Sequence, residues 1–147
     1  VKPNATLNDA QEAILANMNK IYIIGGEGAV SASYEKELRM YGNVERVYGA
    51  SRYDTSVAVA NTFFDNVDTA VVASGKNFPD GLCGGPLAAA MNAPLILTAD
   101  GKTNAAADYM REENVKSGYA LGGTGALSDS TIVQVFRLNN ASGILSK

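Results

Sequence analysis

The chain writes one loop twice. Residues Ile23 to Ser33 read IIGGEGAVSAS and residues Ala120 to Ser130 read ALGGTGALSDS, 97 positions apart. Each is an apolar run followed by Gly-Gly-x-Gly-Ala-(Val/Leu)-Ser-x-Ser. At the same offset Thr6 matches Thr103, Ala10 matches Ala107, Asn17 matches Asn114 and Tyr22 matches Tyr119. A helix, a strand, a glycine turn and the next helix therefore recur as one unit. The period is too long for a solenoid, so each unit is expected to be a small domain in itself. We read residues 1–42 as the C-terminal part of one repeat, 43–138 as one complete repeat and 139–147 as a tail. Homologous units cannot fill the same slot of one domain. Residues 1–42 are thus expected either at a pseudo-symmetric position flanking one sheet or against another copy of the chain.

Around the two glycine turns, short apolar runs alternate with amphipathic stretches. KIYIIG (20–25), VERVYG (44–49), TAVVAS (69–74), APLILT (93–98) and SGYALG (117–122) read as strands. Continuous apolar runs of this kind suit strands buried on both faces of a parallel sheet. Helices are predicted over 7–18, with Ala10, Ile14 and Met18 inward, and over 32–41, capped by Ser31 and ended by Gly42. A third covers 52–65, opened by Ser51 with Asp54 three residues on, and buries Tyr53, Val57, Ala60 and Phe64. GKNFPDG (75–81) is read as a loop before a small-residue helix at 82–92, regular from about Pro86. Helices at 103–114 and 128–138 complete the chain, the last with Ile132, Val135 and Phe136 inward. This alternation predicts an α/β domain of three layers, a mostly parallel sheet with helices on both faces.

Composition excludes several classes. The formal net charge is −3 and no Lys/Arg run is present, which weighs against nucleic acid and acidic membrane surfaces as partners. There is no histidine, so histidine zinc sites and histidine-dependent triads are out. No metal or cofactor is expected. Cys83 is the single cysteine. It cannot form an internal disulfide, lacks a histidine to activate it, and is read as a small buried filler. No apolar run approaches the roughly 20 residues of a membrane span, so membrane insertion is not expected. The opening VKPNATLNDA lacks a basic region followed by an apolar one, so no signal peptide is expected in these residues.

Three stretches carry candidate chemistry. Gly26-Glu27-Gly28 follows a strand and opens a helix, as in a dinucleotide-binding turn, with Glu45 downstream. The third glycine of that pattern is Ser31, however, and Glu27 sets a carboxylate where phosphate would sit, so an ordinary tight turn is preferred. ASGKNFPDG (73–81) lies at the carboxyl end of a strand, where open α/β sheets carry their sites, and offers Ser74, Lys76, Asn77 and Asp80. Ser74 with Lys76 is a conceivable nucleophile pair; otherwise Asn77 and Asp80 satisfy loop amides and cap the next helix. YGASRYDTS (48–56) gathers Arg52, Tyr53, Asp54 and Thr55 at a helix start. Arg52 suits a carboxylate or phosphate and Tyr53 a sugar face. The opposing reading is a structural lock in which Arg52 pairs with Asp80 and Tyr53 enters the core, and we favour it.

The succession RVYGASRYDTSVAVA, VVASGKNFPDGLCGGPLAAAMNAPLILT and YALGGTGALSDS resembles the type 2 cell wall binding repeats of Gram-positive surface proteins. The resemblance spans about residues 6–138. It implies a Rossmann- or Toprim-like α/β domain without catalysis, secreted to the cell wall or surface, used in tandem and assembled about a pseudo-threefold axis. Its implied role is to hold a surface protein non-covalently on an anionic wall polymer or secondary polysaccharide, with other copies of the repeat as partners. The Ile-Leu-Leu-type motif associated with polymer binding in that family stands here as Leu95-Ile96-Leu97, a permutation. Gly81 and Ser56 replace two of the family's alanines. The ligand-binding candidates are thus Arg52, Tyr53, Asp54, Lys76, Asn77, Asp80, Leu95, Ile96 and Leu97. An acidic chain attracts no polyanion over distance; binding would need local cations from Arg46, Arg52, Lys76 or Lys102, or bridging metal ions. The rival readings are an α/β hydrolytic enzyme using Ser74, Lys76 and Asp80, and a pure self-association module.

Overall fold

A computed structural model describes residues 6–139. Its elements run α1 (Asp9–Leu15), β1 (Lys20–Ile24), α2 (Ala32–Leu38), β2 (Asn43–Val47), α3 (Arg52–Phe63), β3 (Thr69–Ser74), α4 (Phe78–Ala90), β4 (Leu95–Thr98), α5 (Asn104–Glu112), β5 (Ser117–Leu121) and α6 (Asp129–Phe136). All strand pairs are parallel, as the β/α alternation predicts. They form two sheets, β1-β2 and β4-β3-β5.

The larger sheet has helices on both faces. Strand side chains alternate between faces, so Ala70, Val72 and Ile96 enter one core with Ala60, Ala106, Tyr109, Met110, Leu127 and Val135 of α3, α5 and the α6 region. Val71 and Leu95 point the other way, onto Leu87, Ala88 and Met91 of α4 and its end. β3 is central, and Ala70 to Ala73 are at most 1% exposed. In the smaller sheet Ile23 and Val44 pack with Leu7, Tyr34 and Leu38 on one face, and Val47 is buried on the other. On the other face Tyr22 and Ile24 stay partly exposed, Tyr22 meeting Phe63 edge-on at 4.7 Å between ring centroids.

The repeat is visible in atomic detail. Gly25 and Gly122 hold φ of 118° and 105°, a region that favours glycine. Ala29 and Val30 donate to the Gly26 carbonyl, and Ala126 and Leu127 donate to the Gly123 carbonyl. Ser31 and Ser128 then cap α2 and α6 by accepting from Tyr34 N and Thr131 N, each at 3.3 Å. Residues 1–42, as far as described, do not flank the larger sheet. β1 takes β2 as its partner, with Lys20 opposite Asn43 and Ile24 opposite Val47.

Four local expectations need correction. α1 is shorter than the predicted 7–18, because an Asn8–Gln11 capping box starts it there, and Ile14 (62%) and Met18 (44%) are exposed along with Ala10. The apolar spacing was real, but Leu7 and Leu15 make the contacts instead. Helix α4 begins at Phe78, not near Pro86, so the supposed loop is half helical. Pro79 occupies the first turn, where a missing N–H costs nothing, and Pro86 sits inside the helix. Cys83 is exposed on α4 rather than buried, since that helix turns Gly84 and Ala88 to the sheet. The predicted tail lies outside the described residues from 140 onward.

Candidate functional site

Loops from the carboxyl ends of β3 and β4 share one edge, because parallel strands place those ends together, and the β2–α3 corner is fastened to them by bonds from α3. Ser51 opens α3 by accepting from Tyr53 N (3.2 Å) and Asp54 N (3.4 Å), while its hydroxyl donates to Asp54 Oδ2. Thr55 Oγ1 accepts from Gly49 N at 3.0 Å and closes the turn. Ser56 Oγ donates to the Tyr53 carbonyl (2.7 Å) and accepts from Leu97 N (2.9 Å), which stitches α3 to β4. The helix start is therefore held from both sides, and the side chains projecting from it are placed by backbone geometry.

Arg52 is exposed and its Nη1 donates to the Gly75 carbonyl at 2.8 Å. Gly75 N in turn donates to Thr98 O at 2.8 Å. One arginine thus ties the β2–α3 corner to the β3–α4 loop and, through it, to β4. The Arg52–Asp80 lock is not what links them. Asp80 is half-buried and turned to the other side, its Oδ2 2.8 Å from where a Cβ on Gly122 would lie. Tyr53 is half-buried with its ring over Gly75, where an added Cβ would come within 2.6 Å of Cε1. That close approach explains the glycine in ASGKNF.

Lys76, Asn77 and Lys102 are exposed. Asn77 occupies the N-cap of α4 without a side-chain capping bond. Lys102 sits in the loop after β4, its carbonyl accepting from Thr98 Oγ1 at 3.2 Å. Lys76 and Lys102 are therefore exposed cations on loops at the carboxyl edge of the larger sheet, and Arg52 is a third at the β2–α3 corner tied to it. Arg46 does not join them. Its side chain is 10% exposed; Nε donates to Glu35 Oε2 at 2.9 Å and Nη1 to the Gly25 carbonyl at 2.7 Å. Arg46, aided by Arg39, holds the Glu35 carboxyl below its ordinary range.

Within Leu95-Ile96-Leu97, Ile96 is wholly buried in the α3/α5/α6 core. Leu95 and Leu97 are half-buried, Leu95 packing on α4. Only these two have surface to offer a ligand. Ser74 is 1% exposed, its Oγ accepting from the Lys76 backbone N–H at 3.4 Å; a nucleophile so placed is out of reach of substrate. Of the turn amides after Gly26, those of Ala29 and Val30 are engaged with the Gly26 carbonyl. Among the described residues no group of three His, Cys, Asp or Glu side chains could hold a metal. No described helix is long and apolar enough to cross a membrane. One concave surface, lined by Asn61, Phe64, Asp65, Asn66, Glu112 and Glu113, lies at the opposite, amino-terminal end of β3 and β5. It is acidic and shares no residue with the loop cluster.

Two residues that the sequence reading passed over belong to this edge. Asp100 Oδ1 accepts from Thr131 Oγ1, from Ser128 Oγ at 2.9 Å and from Ser128 N at 3.2 Å. These bonds, led by Thr131, hold its carboxyl below the ordinary range, and they fasten the β4–α5 loop to the α6 cap. No local pattern signals a contact between residues 28 and 31 positions apart. Tyr48 is 58% exposed at the end of β2, its ring 3.6 Å from where a Cβ on Gly26 would stand. An exposed tyrosine at a strand end was a readable signal, obscured by the charged residues beside it.

Comparison with known proteins agrees with this architecture. Residues 46–132 match the family described as Cell wall binding domain 2 (CWB2). The amidase enhancer of Bacillus subtilis (strain 168) is 33% identical over 141 residues, covering 95% of this chain and 19% of that protein. The N-acetylmuramoyl-L-alanine amidase LytC of the same organism is 33% identical over 94 residues, covering 63% of this chain and 19% of that protein. The chain thus spans about a fifth of the length of these curated relatives. Among solved structures, Cwp8 from Clostridium difficile superposes with a TM-score of 0.79 at 28% identity, over 97% of this chain and 24% of that one. Cwp6 from the same organism shares the fold, with a TM-score of 0.70 at 22% identity, over 90% and 22% of the two chains. With the family model covering more than half of its residues, the chain belongs to the Cell wall binding domain 2 family.

Proposed function

We propose that this chain is a non-catalytic module that holds a larger surface protein on an anionic polymer of the Gram-positive cell wall. The observation that carries the reading is the set of exposed cations: Lys76 and Lys102 on loops at the carboxyl edge of the larger sheet, and Arg52 on the adjoining corner bonded to Gly75. The chain as a whole is acidic, so long-range attraction is absent and contact has to be made locally. Arg52 keeps donors to spare beyond the Gly75 carbonyl, because a guanidinium carries five N–H groups. Tyr53, Asp54 and Asn77 line the same loops and supply hydrogen bonds to sugar hydroxyls, whereas Asp80 is turned away toward Gly122. Leu95 and Leu97 lie on β4 beside them.

Sedimentation with purified cell walls tests this. The chain should co-sediment with intact walls and lose most of its binding to walls stripped of secondary polymers by acid. Replacing Arg52, Lys76 and Lys102 together by alanine should weaken binding while the fold persists. The single bond lost with Arg52 is worth about 1 kcal/mol of stability. Equal binding to stripped and intact walls would exclude the polymer as ligand. Undiminished binding by the triple variant would exclude this edge.

A further inference from the structure

We infer that the free edge of β5 is a docking site for a strand of the β2 type carried by another repeat unit. The inference rests on strand geometry and does not depend on the wall-polymer reading.

β1 and β5 are the same strand in two copies, ended by glycines of the same left-handed conformation. They nevertheless have different partners: β1 pairs with β2, and β5 pairs with β3. Parallel strands send alternate residues to alternate edges, so the hydrogen bonds say which edge each partner uses. In β1, Gly25 N donates to Val47 O (2.9 Å) and Asn19 O accepts from Asn43 N (3.2 Å). Residues 19, 21, 23 and 25 therefore face β2. Their counterparts at the repeat offset are Lys116, Gly118, Ala120 and Gly122. In β5, Ser117 N donates to Asp68 O at 3.2 Å, a carbonyl that Lys116 N shares at the strand's start. Ser117, Tyr119 and Leu121 thus face β3. The partners use opposite edges, and one strand can bind both at once.

The edge that β1 presents to β2 is the one β5 leaves open. Among the described residues Gly122 N has no backbone acceptor, whereas its counterpart Gly25 has Val47. Tyr119 is 49% exposed, and Ala120 is less buried than its counterpart Ile23 at 4%. An open parallel edge beside partly apolar surface is a template for strand addition.

The first unit also shows what the incoming strand must carry. Val44 and Val47 of β2 are 5% and 6% exposed. Arg46 grips the Gly25 carbonyl and Glu35. In the second unit Ile132 stands at the place of Glu35, but another carboxylate, that of Asp80, lies against the equivalent Gly122. An arginine at the fourth strand position would meet a glycine carbonyl and an acidic partner again. The chain's own β2 is bonded along its length to β1, so the occupant comes from a different unit. Its addition would give one parallel sheet in the order β4-β3-β5-β2, joining neighbouring repeats by a shared sheet.

The test uses the full chain, 15N-labelled, and a peptide of residues 42–51 as the added strand. Backbone amides of Gly118, Ala120 and Gly122 should shift, and their hydrogen exchange should slow on the order of tenfold or more. A scrambled peptide should have no effect, and a peptide carrying Arg46→Ala should bind more weakly. Ala120→Pro in the chain removes an open-edge donor while leaving the β3-facing residues in place, and should abolish the response. If the free peptide is too weak, the same segment fused to the C-terminus raises its effective concentration to the mM range. No protection at the three amides in the fused protein would overturn the inference. So would a response confined to β1 and β2, or the same amides being already protected in the chain alone.

Discussion

Ile96 separates two roles for Leu95-Ile96-Leu97. The resemblance makes this tripeptide a polymer contact, while the structure buries Ile96 completely against Ala60, Ala106 and Tyr109. Truncation to alanine removes three buried carbons. At about 0.8 kcal/mol each the lost transfer energy is about 2.4 kcal/mol. The void adds to it, since helices packed on a sheet collapse only in part, and the total falls in the range of about 2.5–5 kcal/mol. That is a large share of the roughly 5–15 kcal/mol stability of a domain. Ile96→Val, one carbon smaller, should cost only about 1 kcal/mol. Urea melts followed by circular dichroism give both values from midpoint and slope. Wall sedimentation below the transition should then find Ile96→Val binding like the parent. If Ile96→Ala melts like the parent yet fails to bind walls, the burial argument is wrong and Ile96 is a contact.

The remaining predictions concern the loops and the core. Asp100 is held below the ordinary carboxylate range in the fold, so its contribution is full above the unfolded value of about 3.9 and disappears as pH falls through its lowered folded value. The gap in Tm between parent and Asp100→Asn should therefore be widest near neutrality and close under acid; a gap independent of pH would count against the Ser128–Thr131 network. Tyr109 buries a hydroxyl that has no partner among the described residues, and burial pushes it up to about 12. Tyr109→Phe should raise stability by about 1 kcal/mol, and a clear loss would reveal a missed hydrogen bond. Gly49→Ala would set a Cβ 2.6 Å from the carbonyl carbon of Asp54, a backbone atom that cannot step aside. It should cost about 1–3 kcal/mol and lower the thermal midpoint; a variant as stable as the parent would show that the turn can open.

Much was legible in the chain itself. The five apolar runs and the spacing of their helices specify a parallel α/β fold, but the expectation of burial on both faces holds for β3 and not for β1 and β5, which stay largely exposed. Ser31 and Ser51 announce helix starts, and the twin glycine turns announce a repeat, because capping and positive φ are satisfied within a few residues. Short-range chemistry of this kind is written locally. Tertiary structure decided what depends on partners distant in sequence. Nothing near residue 14 says that α1 turns Ile14 to solvent; that follows from which sheet face it meets. Cys83 is exposed because α4 covers the sheet with its glycines and alanines instead. Arg52 donates to Gly75 rather than pairing with Asp80, since a carbonyl at the end of β3 stands closer than any carboxylate. Asp100 finds Ser128 and Thr131 only once β4 and α6 are neighbours. Likewise, twin strands of nearly the same motif take different partners, β1 with β2 and β5 with β3, because hydrogen bonding on the two edges of a parallel strand is set by the packing around it and not by its own residues.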